Sequence, residues 1–172
     1  MEASLGSLFL GFSAGKLEQL SSRVADCLNR LPDDAIWARA GENENAPGNL
    51  VLHLCGNVRQ WIGAGIGGKA DIRVRDREFS VRGGVERAEL VERLESVVKD
   101  AVALLRSLPE ERLGERVKVQ AYELSALEAV YHVVEHFAQH AGQIQFITKR
   151  ITNTDLGYYK HLNGAAHGET AP

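Results

Sequence analysis

The sequence predicts an all-α fold, and within that class a four-helix bundle. Four long segments repeat apolar residues at helical spacing, and proline, glycine or asparagine separates each segment from the next. No segment gives a strong strand signal. The chain has 172 residues, 44% of them hydrophobic. Residues 1–172 are therefore expected to form one domain, with a hydrophobic core large enough to stabilise the fold without cross-links.

The four helices can be placed from their apolar stripes and their ends. The first is expected over residues 5–31 and the second over residues 47–66, which begins at a proline that needs no N–H partner. The third is expected over residues 85–108, and a proline follows it directly. Residues 125–128 have the S-x-x-E form of a capping box, so the fourth helix should start there and last to about residue 150.

Three segments lie outside these helices. Residues 67–84 form a connection between the second and third helices that is long for a compact domain and suggests a functional loop. Arg75 is the first choice within it for binding an anionic cosubstrate, although a merely solvated loop is the commoner outcome. Residues 116–123 alternate weakly and are expected to be extended or a loop, and residues 153–172 are expected to be a C-terminal tail.

Charge and composition exclude several classes of partner. The net charge of -3 and the pI near 6.1 disfavour nucleic acid as the main partner, so a small-molecule site is expected. The apolar run at residues 8–12 is too short to span a bilayer, and no basic segment precedes it. Two cysteines, without C-x-x-C spacing, give no disulfide framework. We expect a soluble cytoplasmic protein.

The histidines are the strongest functional signal. His132, His136 and His140 stand four residues apart on the fourth helix, and side chains at that spacing lie on nearly the same helical face. If Val133 marks the centre of the buried stripe, His140 lies about 20° and His136 about 60° from it, so both should point into the bundle. His53 can join them if the second and fourth helices are neighbours.

This pattern favours one divalent transition metal held by His53, His136 and His140. A single buried histidine is more often a hydrogen-bonded core residue, but a buried pair leaves four ring nitrogens to satisfy, and a shared ion satisfies two of them. Three histidines and an open position are typical of a catalytic ion. Zn²⁺ and Ni²⁺ are the first candidates and Fe²⁺ is a third. The chain lacks the HExxH of a zinc protease and the inward ExxH pairs of a di-iron bundle.

Other polar residues are candidates for supporting roles. His132 lies about 100° from the centre of the stripe, so it is expected to support the site or face solvent. Asn57 and Gln143 are spaced to hydrogen-bond a ligand imidazole or a bound water, although capping the backbone or facing solvent is equally compatible with the sequence. No catalytic side chain is assigned.

Two motifs resemble the DinB-like superfamily of bacterial four-helix-bundle metalloproteins. They are HLCGN around His53 and HFAQHAGQI at residues 136–144, while RDREF at residues 75–79 resembles a loop of one uncharacterised branch. The resemblance implies a four-helix bundle with His53, His136 and His140 as metal ligands, and it makes a homodimer plausible.

The resemblance also implies a reaction. Characterised members are similar to thiol-dependent S-transferases, in which the metal activates the thiolate of bacillithiol, mycothiol or glutathione toward an electrophile. This chain departs from the better-known members at Ala141, where an arginine is common. Two alternatives stay open: a non-catalytic metal-binding stress or sensor protein, and a metal-assisted hydrolase.

Overall fold

A computed structural model describes residues 3–164 of the chain. The ends of the chain, including residues 165–172 of the expected tail, lie outside the described residues. The described part contains five α-helices: α1 (Leu5–Arg30), α2 (Pro47–Val58), α3 (Arg75–Ser80), α4 (Arg87–Ser107) and α5 (Ala126–Thr152). A π-helical segment (Arg59–Ile66) continues α2, and one hairpin is formed by β1 (Arg116–Val119) and β2 (Tyr122–Ser125).

The four long helices form the bundle that the sequence predicts. Helix α1 packs against α4 and α5, and α2 packs against the same two helices, so α1 and α2 lie diagonally across the bundle. The apolar stripes of all four meet in one core, in which Leu17, Leu54, Leu94 and Phe137 are fully buried. Burial of such side chains is the main favourable term in folding. Because α2 and α5 are neighbours, their polar residues can share a site.

The second helix changes its hydrogen-bonding pattern midway. Residues 47–66 are continuously helical, as predicted, but the α-helix gives way to a π-helix after Val58. At the end of that segment the Gly67 N–H donates to the Ile62 carbonyl at 2.9 Å, a bond between residues five apart. Wide turns of this kind are rare and often occur at functional sites.

The connection between α2 and α4 is more ordered than the expected loop. It contains α3, a short helix that the sequence prediction missed, packed against α2. The buried Asn49 amide donates to the Glu78 and Val81 carbonyls, each at 2.9 Å. Arg39 donates to the Phe79 carbonyl at 2.9 Å. These bonds satisfy carbonyls at the end of a helix that is too short to be stable alone.

Residues 116–123, which were expected to be extended or a loop, are extended and form most of a hairpin. Its two strands pair antiparallel, with Val117 opposite Leu124 and Val119 opposite Tyr122. The turn places Gln120 at a φ of 56°. Gly65 lets the hairpin approach the π-helical segment, because a Cβ at residue 65 would lie 2.5 Å from Val119 Cγ2. The close approach sets the hairpin beside the π-helical segment.

The segment after α5 returns to the bundle through Tyr158. Its hydroxyl donates to the Asp26 carboxylate at 2.7 Å, and it lies 3.1 Å from the Arg23 carbonyl. This part of the expected tail is therefore attached to α1. None of the helices in residues 3–164 combines the length and hydrophobicity that crossing a lipid bilayer requires.

The start of α5 gives a test of the capping prediction. The Ser125 hydroxyl accepts the Glu128 N–H, and the Glu128 carboxylate accepts the Ser125 N–H at 2.7 Å, which completes a capping box. Ser125→Ala removes the first bond, so the free energy of unfolding should fall by about 1 kcal/mol in urea denaturation. Ser22→Ala, at an exposed site within α1, is the control and should change little. Equal effects of the two substitutions would contradict the capping role.

Candidate metal and ligand site

Three histidines meet where α2 packs against α5. His53 comes from α2, and His136 and His140 come from α5. His53 Nε2 lies 2.9 Å from His136 Nε2, and the His53 ring centroid lies 5.0 Å from that of His140. One nitrogen from each of the three rings lies within 4.8 Å of the others. The helix spacing predicted this grouping, and His132 is not part of it.

Hydrogen bonds orient two of the three rings. His53 Nδ1 lies 2.8 Å from Glu78 Oε2 and 3.1 Å from Arg73 Nη2. Because the shorter contact is to an ionised carboxylate, which can only accept, we assign the proton to Nδ1. His140 Nδ1 lies 2.8 Å from Gln143 Oε1, so it too donates. When Nδ1 carries the ring's single proton, Nε2 has a free lone pair. This arrangement is common around metal ions.

Glu78 is itself held by Arg73. The guanidinium donates to Oε1 through Nε at 2.7 Å and to Oε2 through Nη2 at 2.8 Å, a bidentate pair. The side chains of Arg73 and Glu78 are only 5% and 9% exposed. Burial alone would raise the pKa of Glu78, but the hydrogen bonds from Arg73 and His53 outweigh it and lower this pKa. Glu78 is therefore a carboxylate at neutral pH.

The histidines on α5 are neutral. Burial, reinforced by neighbouring His140 and His53, lowers the pKa of His136 to about 3. Burial also lowers the pKa of His140, against the opposing hydrogen bond from Gln143, and it lowers the pKa of His132. Neutral imidazoles are the form that binds metal ions.

Gly56 makes room for Glu78. A Cβ at residue 56 would collide with the Glu78 carboxylate and would lie 2.9 Å from Arg73 Nε. The glycine of the HLCGN motif therefore lets the carboxylate pass over α2 and reach His53. Any larger side chain would push Glu78 away from its position.

A cavity of about 440 Å³ opens beside His53 and His136. Its walls come from α2 and its π-helical extension, the segment before α3, the hairpin and α5, and the lining residues are His53, Asn57, Trp61, Arg73, Arg75, Gln120, Tyr122, Glu123, Leu124, His132 and His136. The His132 ring packs on Trp61 with a centroid distance of 4.1 Å and an angle of 40°. This volume suits a small molecule.

A larger cavity of about 590 Å³ lies between α2, the 67–84 connection and α4. It shares Arg73 and Glu78 with the histidine site, but none of the three grouped histidines lines it. Cys55 lines it as well, and burial raises the pKa of this thiol to about 12, so the thiol is protonated at neutral pH. Proximity to the histidines favours the smaller cavity as the candidate site.

The residues expected to support the site lie close to it. Gln143 bonds His140, whereas Asn57 and His132 line the smaller cavity. Arg75 also lines that cavity, with its guanidinium 4.9 Å from the centroid of the Phe79 ring. Ala141, the residue at which this chain departs from the DinB-like motif, is completely buried in the core.

The sequence prediction missed Arg73 and Glu78 as partners of His53. It had placed both in the 67–84 loop and chosen Arg75 among the arginines there. A carboxylate five residues after an arginine is too common on solvated surfaces to identify a buried pair. Trp61 was also missed, although it lies eight residues after His53 in the same helical stretch.

The donor set fits a divalent transition metal. Imidazole nitrogen suits Zn²⁺, Ni²⁺ and Fe²⁺, and the bond lengths to zinc are about 2.0–2.1 Å. Two nitrogens on a tetrahedral zinc ion lie about 3.4 Å apart, so nitrogens within 4.8 Å of one another could share such an ion after side-chain rotation. The hydrogen bonds at Nδ1 of His53 and His140 leave the inward nitrogens as donors to an ion.

Comparison with known proteins agrees with this fold. Residues 4–163 match the family described as "Protein of unknown function (DUF1572)". The chain belongs to this family. No curated protein matches it in sequence.

Two solved structures share the fold. A conserved protein of Enterococcus faecalis is 12% identical, with a TM-score of 0.72 over 89% of this chain and 100% of that chain. YjoA, a DinB-like protein of Bacillus subtilis, is 16% identical, with a TM-score of 0.66 over 86% of this chain and 96% of that chain. The resemblance to the DinB-like superfamily is thereby confirmed at the level of the fold.

The glycine beneath Glu78 generates a testable prediction. Gly56→Ala should lower the free energy of unfolding by about 2 kcal/mol, because it overpacks a buried ion pair. Gly63→Ala is a matched control, since its new Cβ would meet nothing closer than Lys69 Cδ at 3.8 Å. Urea denaturation of both variants measures the difference. A Gly56→Ala protein as stable as the Gly63→Ala protein would show that Glu78 is not held where the structure places it.

Proposed function

We propose that His53, His136 and His140 bind one divalent transition metal, with Zn²⁺ and Ni²⁺ as first candidates and Fe²⁺ as a third. The observation that carries the proposal is the meeting of three imidazoles, one of which is oriented by the buried Glu78 carboxylate. Within residues 3–164, His53 Nε2 and His136 Nε2 lie 2.9 Å apart and are hydrogen-bond partners of each other. A shared ion gives each of them a strong partner.

We further propose that the protein is an S-transferase for a low-molecular-weight thiol such as bacillithiol, mycothiol or glutathione. When bound, the ion would supply positive charge that lowers the pKa of a coordinated thiol or water. In the transfer, the sulfur forms a bond to an electrophilic carbon, the thiol proton passes to solvent, and the leaving group departs with its bonding electrons. No other nucleophilic side chain is required.

The protein's own residues would prepare this reaction. Glu78 keeps the proton of His53 on Nδ1, and Arg73 keeps Glu78 ionised. The Trp61 and Tyr122 rings, 6.1 Å apart, supply an aromatic surface on one side of the cavity. Arg75, at the edge of the cavity, can bind an anionic group of the substrate.

Three protein ligands favour catalysis over a purely structural role. Structural zinc sites are normally closed by four protein ligands, whereas catalytic sites keep a position for water or substrate. Among the described residues, the group of potential ligands contains His53, His136 and His140 alone, and a cavity adjoins two of them. The assays below distinguish the S-transferase from the sensor and hydrolase alternatives. The homodimer stays a prediction.

Metal content is the first test. Elemental analysis of untagged protein should find about one ion per chain in the wild type, and His53→Ala and His136→Ala should each abolish stoichiometric binding. His161→Ala, which changes a histidine outside the group, is the matched control and should keep the ion. Folded wild-type protein that refuses added Zn²⁺, Ni²⁺ and Fe²⁺ would overturn the proposal.

Thiol-dependent consumption of an electrophile is the second test. The metal-loaded protein should accelerate loss of monochlorobimane in the presence of a thiol, and His136→Ala should return the rate to background because its ion is lost. Thiol-independent turnover would favour the hydrolase. A large metal-dependent rise in melting temperature without any turnover would favour the sensor.

A further inference from the structure

Two buried polar atoms beside the histidines lack partners in the protein. Asn57 and Trp61 are each 4% exposed, and both line the 440 Å³ cavity. Within residues 3–164, neither Asn57 Oδ1 nor Trp61 Nε1 has a hydrogen-bond partner. Burial of an unsatisfied polar group costs free energy, and such groups are rare in native proteins. Both atoms are shielded from bulk water, and the two residues line one cavity, so a ligand in that cavity is a candidate partner for both.

The same residue types are fully bonded elsewhere in the protein. Asn49, also on α2, donates to two carbonyls through Nδ2 and accepts from Arg39 through Oδ1 at 2.7 Å. Trp37 Nε1 donates to the Val85 carbonyl at 3.1 Å. The missing partners are therefore a feature of the histidine cavity and not of buried asparagine and tryptophan in this fold.

The remaining unpartnered atoms have a simpler origin. In the described part of the chain they are the Nε atoms of Arg39 and Arg87. Each of these guanidinium groups is bonded through Nη2, Arg39 to Asn49 and Arg87 to the Leu31 carbonyl. Neither arginine lines the histidine cavity. Among the described residues, an unpartnered acceptor and an unpartnered donor therefore occur on residues that line the same cavity only at the histidine site.

We propose that Asn57 and Trp61 form an amide-recognition pair, so that the cavity takes a small ligand carrying a carboxamide. An amide N–H would donate to Asn57 Oδ1, and the amide carbonyl would accept from Trp61 Nε1. The inference rests on the proposed function for the role of this ligand as substrate or cosubstrate, but its observations do not involve the metal. It names the chemical class of ligand that the site selects.

Complementarity excludes the common charged groups at this position. In the orientation of the Asn57 amide that buries Oδ1, a carboxylate, which only accepts, would leave Oδ1 unpaired, and an ammonium group, which only donates, would leave Trp61 Nε1 unpaired. A neutral amide satisfies both atoms. Its donor and acceptor lie on different atoms, which suits two side chains about one helical turn apart better than a single hydroxyl oxygen does.

The surroundings of the pair suit an amide on a larger, partly apolar molecule. Trp61 packs against His132 and lies 6.1 Å from the Tyr122 ring, so one side of the cavity is aromatic. Arg75 and Glu123 line the same cavity and can meet charged ends of a ligand. The amide pair would then fix the orientation of the ligand relative to His53 and His136.

The two tryptophans give a direct measurement of this contact. The chain contains only Trp37 and Trp61, so a ¹H–¹⁵N correlation spectrum should show two indole N–H peaks, which Trp61→Phe assigns. The probe is N-acetyl-S-methylcysteine, which has an amide and a carboxylate but no free thiol. The matched control is 3-(methylthio)propionate, which lacks the amide. Both are titrated into chelator-treated and Zn²⁺-loaded protein.

The amide probe should shift the Trp61 peak and leave the Trp37 peak in place. It should bind at least about tenfold more tightly than the control, and Asn57→Leu should remove that advantage, because each lost partner leaves a buried group unpaired. A Trp61 peak that does not respond, or responds equally to the two compounds, would overturn the inference. Tight binding of 3-(methylthio)propanol instead would identify a hydroxyl as the ligand group.

Stability of two asparagine variants tests the inference without any ligand. Asn57→Leu should keep or raise the melting temperature, because it removes an unsatisfied group, whereas Asn49→Leu should lower it clearly. Equal losses in both variants would show that Asn57 has a structural partner and would overturn the inference. These outcomes are separate from the metal tests: a protein that binds no metal can still bind the amide probe, and a metal-binding protein can fail to do so.

Discussion

The buried contact among Arg73, Glu78 and His53 is the interaction on which the candidate site depends. It joins the 67–84 connection to α2, fixes the proton of one imidazole, and closes the wall between the two cavities. A buried ion pair is stable only when its remaining donors and acceptors are bonded. Here the third guanidinium nitrogen of Arg73 donates to Gln60 Oε1 at 2.8 Å, which completes the arrangement.

The same contact reaches the hairpin. Gln60 Oε1 also accepts from Gln120 Nε2 at 2.7 Å, and Gln120 occupies the turn between β1 and β2. A continuous set of side chains therefore runs from the entrance of the smaller cavity to His53. A movement of the hairpin would therefore displace the Glu78 carboxylate, which orients the His53 imidazole. The hydrogen bonds that connect them are short and partly buried.

Periodicity and end signals were sufficient for the bundle and for the meeting of the histidines. The capping box at Ser125 located the start of α5, and the 100° rotation per residue placed His136 and His140 on the inward face. These signals depend on residues that are close together in the chain, so they can be recognised in a single sequence. The prediction that His53 joins His136 and His140 required α2 and α5 to be neighbours. The tertiary packing places these two helices side by side.

The parts that the sequence did not reveal depend on contacts distant along the chain. Which arginine of the 67–84 segment turns inward depends on the space above Gly56, and the pattern of charges alone does not show that space. Helix α3 has six residues, below the length at which periodicity is informative, and is held by Asn49 and Arg39. The π-helical turns after Val58 have no reliable sequence signature.

The division of the three histidines between two helices has a mechanical consequence. His53 and His136 are 83 residues apart in sequence. An ion shared between them would join two helices that are distant along the chain, and because the unfolded chain lacks the preformed site, binding would stabilise only the folded state, by about 2.7 kcal/mol when the free ion is at 100 times its Kd. Loading and loss of the ion would thus change how firmly the second helix is tied to the last, and the lifetime of the folded protein would follow the metal supply.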